Sequence, residues 1–142
     1  MARFNQINLI VRDMDATLAF YRRLGVELPE DAVWRTESGA HHANVDATAD
    51  FGVDFDSHAL AERYNRGFRA EQGRVLIGVE LESREAVDAL WEALLAESVQ
   101  GLQPPYDAFW GRRYAIVEDP DGNPVGLSSP RDAALGGPPP AI

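Results

Sequence analysis

The sequence predicts an α+β fold in which two βαβββ modules form one curved mixed sheet around a concave cavity, with helices outside. Three observations predict it. An alternating strand pattern followed by a capped amphipathic helix occurs twice, opening near Phe4 and again near Val75. Short alternating runs follow each helix. Finally, Val53-Asp54-Phe55-Asp56-Ser57 can be laid over Val125-Gly126-Leu127-Ser128-Ser129. One such unit leaves an apolar sheet face uncovered, and a second unit beside it completes the core.

In the first module, Ile7, Leu9 and Val11 alternate with Gln6, Asn8 and Ile10, the two-residue period of a strand. Asp13 or Asp15 can cap the next helix, on which Met14, Leu18, Tyr21 and Leu24 recur at helical spacing. Gly25 is placed to end it, because glycine enters the left-handed region freely. Strands follow at Val33 to Glu37, His41 to Asp46 and Phe51 to Phe55, separated by Ser38-Gly39 and Ala47-Thr48-Ala49-Asp50. Ser57 then caps a connector helix that Asn65-Arg66-Gly67 breaks.

The second module starts with Val75, Ile77, Val79 and Leu81 as a strand. Ser83 caps a helix with Val87, Leu90, Trp91 and Leu94 on one face. Gly101 to Pro105 reads as a loop, Tyr106 to Gly111 as an aromatic segment and Arg112 to Glu118 as a strand. Asp119-Pro120-Asp121-Gly122-Asn123 is a tight turn by its residue chemistry, so a hairpin closes the module.

These elements make one domain over residues 1–130: a first module at about 4–56, a connector at about 57–66 and a second module at about 73–129. Residues 131–142, rich in Pro, Gly and Ala, read as a flexible tail. At 142 residues the chain can bury one core. Its net charge of −10 repels phosphate backbones and anionic lipid, arguing against nucleic-acid and membrane partners. With no cysteine there is no disulfide and no thiolate chemistry. No apolar run is long enough for a leader or a membrane span, and a cytoplasmic protein is the expectation.

Val11-Arg12-Asp13 leading into a helix with Phe20-Tyr21 and Leu24-Gly25, the Trp110-Gly111-Arg112-Arg113 stretch and the Asp-Pro-Asp-Gly-Asn hairpin together resemble the vicinal oxygen chelate superfamily. This is the group of glyoxalases, bleomycin-resistance proteins and extradiol dioxygenases. The resemblance implies a homodimer. In metal-dependent members it also implies one divalent ion held by His or Gln on the first strand of each module and Glu on the last. The matching places here are Gln6, Asp54, Arg74 or Leu76, and Gly126. Guanidinium stays protonated, Leu has no donor atom and Gly has no side chain. The expectation is therefore no metal and no other cofactor, with Gln6 and Asp54 as residual ligands of a divalent ion in the alternative.

Alternation and the resemblance give Gln6, Asn8, Asp54, Leu76, Tyr106, Phe109, Trp110 and Gly126 as candidate ligand-binding residues. Gly126 reads as a side chain removed to make room for a ligand or for close backbone approach. No catalytic residue is assigned; Asp54 and Glu80 are the candidate acid–base groups, one acquiring a raised pKa if they lie together in an apolar cavity. His41 and His42 are adjacent on a strand and point to opposite faces, so they read as surface or hydrogen-bonded structural residues. The functional expectation is a small-molecule-binding protein holding an organic ligand in the sheet cavity, with a metal-dependent lyase, isomerase or dioxygenase as the alternative.

Overall fold

A computed structural model describes residues 1–23, 26–45, 51–71, 75–118 and 122–139. The expected helix end at Leu24-Gly25, the linker within 46–50, Arg74 and the Asp119-Pro120-Asp121 part of the hairpin lie outside these residues.

The elements alternate as the sequence predicts. The first module is β1 (Arg3–Val11), α1 (Met14–Arg23), β2 (Val33–Arg35), β3 (His41–Val45) and β4 (Gly52–Ser57); α2 (His58–Tyr64) connects. The second is β5 (Val75–Glu80), α3 (Arg84–Ala96), β6 (Gly101–Asp107), β7 (Arg113–Glu118) and β8 (Pro124–Ser128). Eight strands form one sheet in the order β2-β3-β4-β1-β5-β8-β7-β6. The modules join within the chain where β1 and β5 run antiparallel, while β1/β4 and β5/β8 are parallel.

The register makes the two halves correspond residue by residue. Ile7 faces Ile77 across the central pair, Ile7 also pairs with Val53, and Ile77 with Val125. Asn8 therefore corresponds to Gly78, Gln6 to Leu76, Asp54 to Gly126 and Asp56 to Ser128. Continuing outward, His42 corresponds to Tyr114, Asn44 to Ile116 and Trp34 to Tyr106.

Local chemistry starts each helix. The Asp13 carboxylate accepts from Ala16 N–H at 2.9 Å, the Ser57 hydroxyl from Leu60 N–H at 3.3 Å and the Ser83 hydroxyl from Ala86 N–H at 3.0 Å, each satisfying a donor the helix leaves open. Met14 and Leu18 of α1 pack on Ala43 and Phe55, and Val87 of α3 packs on Ala115, Val117 and Leu127, so both helices cover the outer face. The connector α2 is placed differently. Its Leu60, Ala61 and Tyr64 pack with Ile10, Leu76, Tyr114 and Ile116, the inward residues, and it closes one end of the concave side. No described helix is long and apolar enough to cross a membrane.

Two sequence expectations differ from the structure. Gly101 to Pro105 is not a loop but most of β6, an edge strand with two register irregularities. An edge strand bonds on one side only, so Pro104 and Pro105 can lie in it without leaving a ladder acceptor unmet. The segment read as a flexible tail is hydrogen-bonded to the body as far as Gly137: Asp132 N–H donates to Gly111 O at 2.9 Å and Gly137 N–H to Phe109 O at 2.7 Å. Composition signals little apolar burial, but backbone hydrogen bonds hold any sequence.

Candidate functional site

The concave face holds a cavity of about 430 Å³. One wall comes from the first module and is polar. Gln6 Nε2 donates to Asn8 Oδ1 at 2.6 Å, and Asn8 Nδ2 donates to Asp56 Oδ2 at 2.7 Å. The same Oδ2 accepts from Tyr64 OH at 3.0 Å, and Asp56 Oδ1 lies 2.6 Å from His42 Nδ1. A carboxylate only accepts, so Nδ1 carries the proton and the other ring nitrogen faces Asn44 Nδ2 at 3.2 Å. Asn44 Nδ2 also donates to Asp54 Oδ1 at 2.8 Å. Asp56 is 1% exposed and takes three side-chain donors, so it is the fixed anion that orders the wall.

Asp54 is the carboxylate with capacity to spare. Burial pushes its pKa up to about 6, further raised by Asp56 and opposed by the His42 charge and by hydrogen bonds from Asn44 and the Val45 backbone. His42 moves upward too: burial alone would lower it, but the hydrogen bond and charge of Asp56, with the charge of Asp54, outweigh that. Asp54 thus changes charge near pH 6 beside a His42 that holds its proton more firmly than a free imidazole.

The opposite wall is aromatic. Trp110 lies 5.3 Å from Tyr114 and 5.1 Å from Phe109 between ring centroids, and Phe109 lies 6.1 Å from Trp34, all edge-to-face or tilted. Burial holds the hydroxyls of Tyr64 and Tyr114 far above the usual phenol range, so both stay neutral donors or acceptors.

Of the residues singled out from sequence, Gln6, Asn8, Asp54, Phe109, Trp110 and Gly126 line this cavity together. Leu76 is buried in the core beneath it, and Tyr106 stands behind, edge-on to Trp110 and Tyr114. Glu80 is separated from Asp54. It pairs with Arg112 at 2.5 Å and Arg3 at 3.0 Å; burial would raise its pKa, but these two partners lower it overall, so it stays ionised and engaged. Arg112 and Arg113 are both engaged, Arg112 with Glu80 and Ser129 O and Arg113 with Asp88 and Asp107.

Sequence reasoning missed Asp56, His42 and Asn44, although the alternation that selected Asp54 also selects Asp56, and the pairing of β3 with β4 selects the other two. Asn5 had no signal. A register shift between Phe4 and Gln6 brings Asn5 and Gln6 to the same cavity. Trp34, Tyr64 and Tyr114 reach it through tertiary packing.

The donor set does not fit the metal implied by the resemblance. Gln6 is engaged with Asn8, Asp54 with Asn44, and Leu76 contributes no donor. At Gly126 the room is already taken: a Cβ there would lie 2.6 Å from the Tyr114 hydroxyl and 3.1 Å from Leu76 Cδ2. Close approach of Tyr114, rather than space left for a ligand, is what requires the glycine. Among the described residues no group of three His, Asp or Glu side chains is arranged to hold an ion.

Similar folds occur in solved structures. Methylmalonyl-CoA epimerase in complex with methylmalonyl-CoA and NH4+ aligns with TM-score 0.59 and 19% identity over 97% of this chain and 99% of that one. A hypothetical protein from Bacillus halodurans C-125 aligns with TM-score 0.60 and 14% identity over 92% and 96%. The Mn(II)-bound glyoxalase from Novosphingobium aromaticivorans aligns with TM-score 0.56 and 21% identity, over 90% of this chain but 38% of the longer one. At such identities the likeness is one of fold. Comparison with curated protein sequences gives no match. The Glyoxalase/Bleomycin resistance protein/Dioxygenase superfamily matches residues 3–127, and the chain belongs to that superfamily.

Proposed function

We propose that this protein binds a flat, partly cationic organic molecule in the sheet cavity without using the family's metal ion. The observation that carries this reading is the conjunction of two walls in one cavity of about 430 Å³: Asp54 and Asp56 in an amide network on one side, Trp34, Phe109, Trp110 and Tyr114 on the other. Aromatic faces attract cations and stack on flat rings, and carboxylates in a partly dry site attract positive charge more strongly than on the surface. The mismatch at Leu76 and Gly126 supports independence from a metal. The family resemblance adds a homodimer, which light scattering on the purified protein measures.

Titration with berberine, a flat isoquinolinium cation, tests the reading. Quenching of Trp emission and a raised melting temperature are expected, both weakened by Asp54→Asn. Absence of either response in the native protein would overturn it. In parallel, dialysis against nickel, zinc, manganese or iron(II) followed by elemental analysis is expected to leave no stoichiometric metal. One firmly held ion per chain would move the assignment to a metal-dependent lyase, isomerase or dioxygenase with Gln6 and Asp54 among the ligands.

The pKa of about 6 at Asp54 favours a second reading, in which this carboxylate moves a proton on a bound molecule unaided by metal. Glu80 is unsuited to that role because Arg3 and Arg112 hold it as an anion. Exchange of protons next to a carbonyl in deuterated buffer, followed by NMR over a panel of small oxo acids, tests it. Asp54→Asn should abolish any exchange, and exchange persisting in that variant would remove Asp54 from the reaction.

A further inference from the structure

The superfamily match ends at residue 127, yet the cavity does not. Arg131 and Pro139 line it beside Phe109 and Trp110. The segment between them is bound to the loop bearing those rings. Asp132 N–H donates to Gly111 O, Gly137 N–H donates to Phe109 O, and a Cβ at Gly111, whose φ is +86°, would lie 2.4 Å from Asp132 O. Asp132 also caps a turn over Ala133–Leu135, its carboxylate accepting from Ala134 N–H at 2.9 Å. The strap is thus seated on that loop at two places, Asp132 and Gly137.

Among the described residues two arginines border the cavity, and they differ. Arg112 is engaged by Glu80 and by Ser129 O. Arg131 is exposed and, among the described residues, has neither an ion pair nor a hydrogen bond, while the neighbouring Asp132 carboxylate is turned to its own cap. Among the described residues, then, an unpaired guanidinium borders the same cavity that Asp54 and Asp56 line. In a chain with net charge −10, a positive group left without a carboxylate partner at such a place is a natural receptor for an anion.

We propose that the strap formed by residues 130–139 is one wall of the ligand site and that Arg131 on it recognises an anionic end of the ligand. The class of ligand is then an amphoteric aromatic compound: a cationic nitrogen at the carboxylate floor, a flat ring against Phe109 and Trp110, and a carboxylate or similar anion at the rim. This rests on the binding function proposed above and names the ligand class for the same cavity. Arg131 is a specificity-determining residue in this scheme.

The test compares three probes by calorimetry: benzylamine, para-toluate and para-aminomethylbenzoate, which carry the cation, the anion and both. In the native protein the amphoteric compound is expected to bind about fivefold more tightly than benzylamine, as one exposed guanidinium–carboxylate contact supplies. Arg131→Gln should erase that advantage and leave benzylamine affinity within twofold; Arg131→Lys should restore part of it. A variant ending at Pro130 should lose the same advantage and shift Trp emission to the red as the aromatic loop is uncovered. If benzylamine binds but the added carboxylate brings no gain, or if the gain survives Arg131→Gln, the role of Arg131 is overturned while the binding function stands. If none of the three binds the native protein, the binding function fails and this inference with it.

Discussion

The two halves of this sheet share a backbone plan and diverge at the positions that face the cavity. Ser57 and Ser129 are equivalent, and they do the same work: Ser57 Oγ accepts from His41 N–H at 2.8 Å and Ser129 Oγ from Arg113 N–H at 2.9 Å, His41 and Arg113 being equivalent as well. The inward positions tell another story. Gln6, Asn8, His42, Asn44, Asp54 and Asp56 in the first half stand opposite Leu76, Gly78, Tyr114, Ile116, Gly126 and Ser128 in the second. A metal site drawing ligands from both halves needs donors on both. Here the carboxylates and amides gather in the first half, while the second supplies Phe109, Trp110, Tyr114 and small residues, with Trp34 of the first half meeting Phe109, an arrangement suited to a molecule with one polar and one flat aromatic part.

The largest effect should come from removing the anion that orders the polar half. Asp56→Leu strands the donors of Asn8, His42 and Tyr64 and is expected to cost about 3–5 kcal/mol in urea denaturation, whereas the equivalent change Ser128→Ala costs about 1 kcal/mol. Equal losses in the two halves would refute the asymmetry of the wall.

Next in size is an attempt to restore symmetry. Gly126→Glu drives a side chain into the Tyr114 hydroxyl and should destabilise by about 2 kcal/mol. Combining it with Tyr114→Ala should give a loss smaller than the sum of the two single changes by about 1 kcal/mol, because the second change vacates the contested space. Strict additivity would mean that Tyr114 is not what occupies that place.

The pH dependence isolates Asp54. Its folded pKa of about 6 lies above the ordinary value of 3.8, so its favourable contribution is complete below about pH 4 and is lost as pH rises through 6. Asp54→Asn keeps the acceptor for Asn44 and should therefore be more stable than the native protein by about 2 kcal/mol at pH 7.5, the gap closing toward pH 4. His42 adds to the same slope: its raised pKa gives stability that is complete below 6.5 and lost as pH rises through the folded value. The smallest effect compares the shared feature. Ser57→Ala and Ser129→Ala should each cost about 1 kcal/mol, with Ser57 slightly the more sensitive because it also caps α2.

Much of the fold was legible because it rests on short-range rules. The repeated strand-then-helix order, the caps at Asp13, Ser57 and Ser83, and the overlay of Asp54 on Gly126 all follow from periodicity and local hydrogen-bonding chemistry. Part of the cavity lining, Gln6, Asn8, Asp54 and Gly126, was legible on the same basis, since alternation selects inward residues on a regular strand. Asn5 escaped because a register shift breaks alternation, and β6 escaped because its prolines resemble a loop wherever the edge position is unknown.

The sequence by itself determined that two like modules would build one sheet, and that the second would offer no side-chain donor at Leu76 and Gly126, because residue identity and strand period are properties of the chain alone. Only the tertiary structure decided that Tyr114 fills the space beside Gly126, that Tyr64 of the connector reaches Asp56, that Glu80 is held by arginines away from Asp54, and that residues 130–139 border the cavity. Each of these joins groups far apart along the chain. Such contacts depend on how packed elements meet in space, which no local pattern encodes.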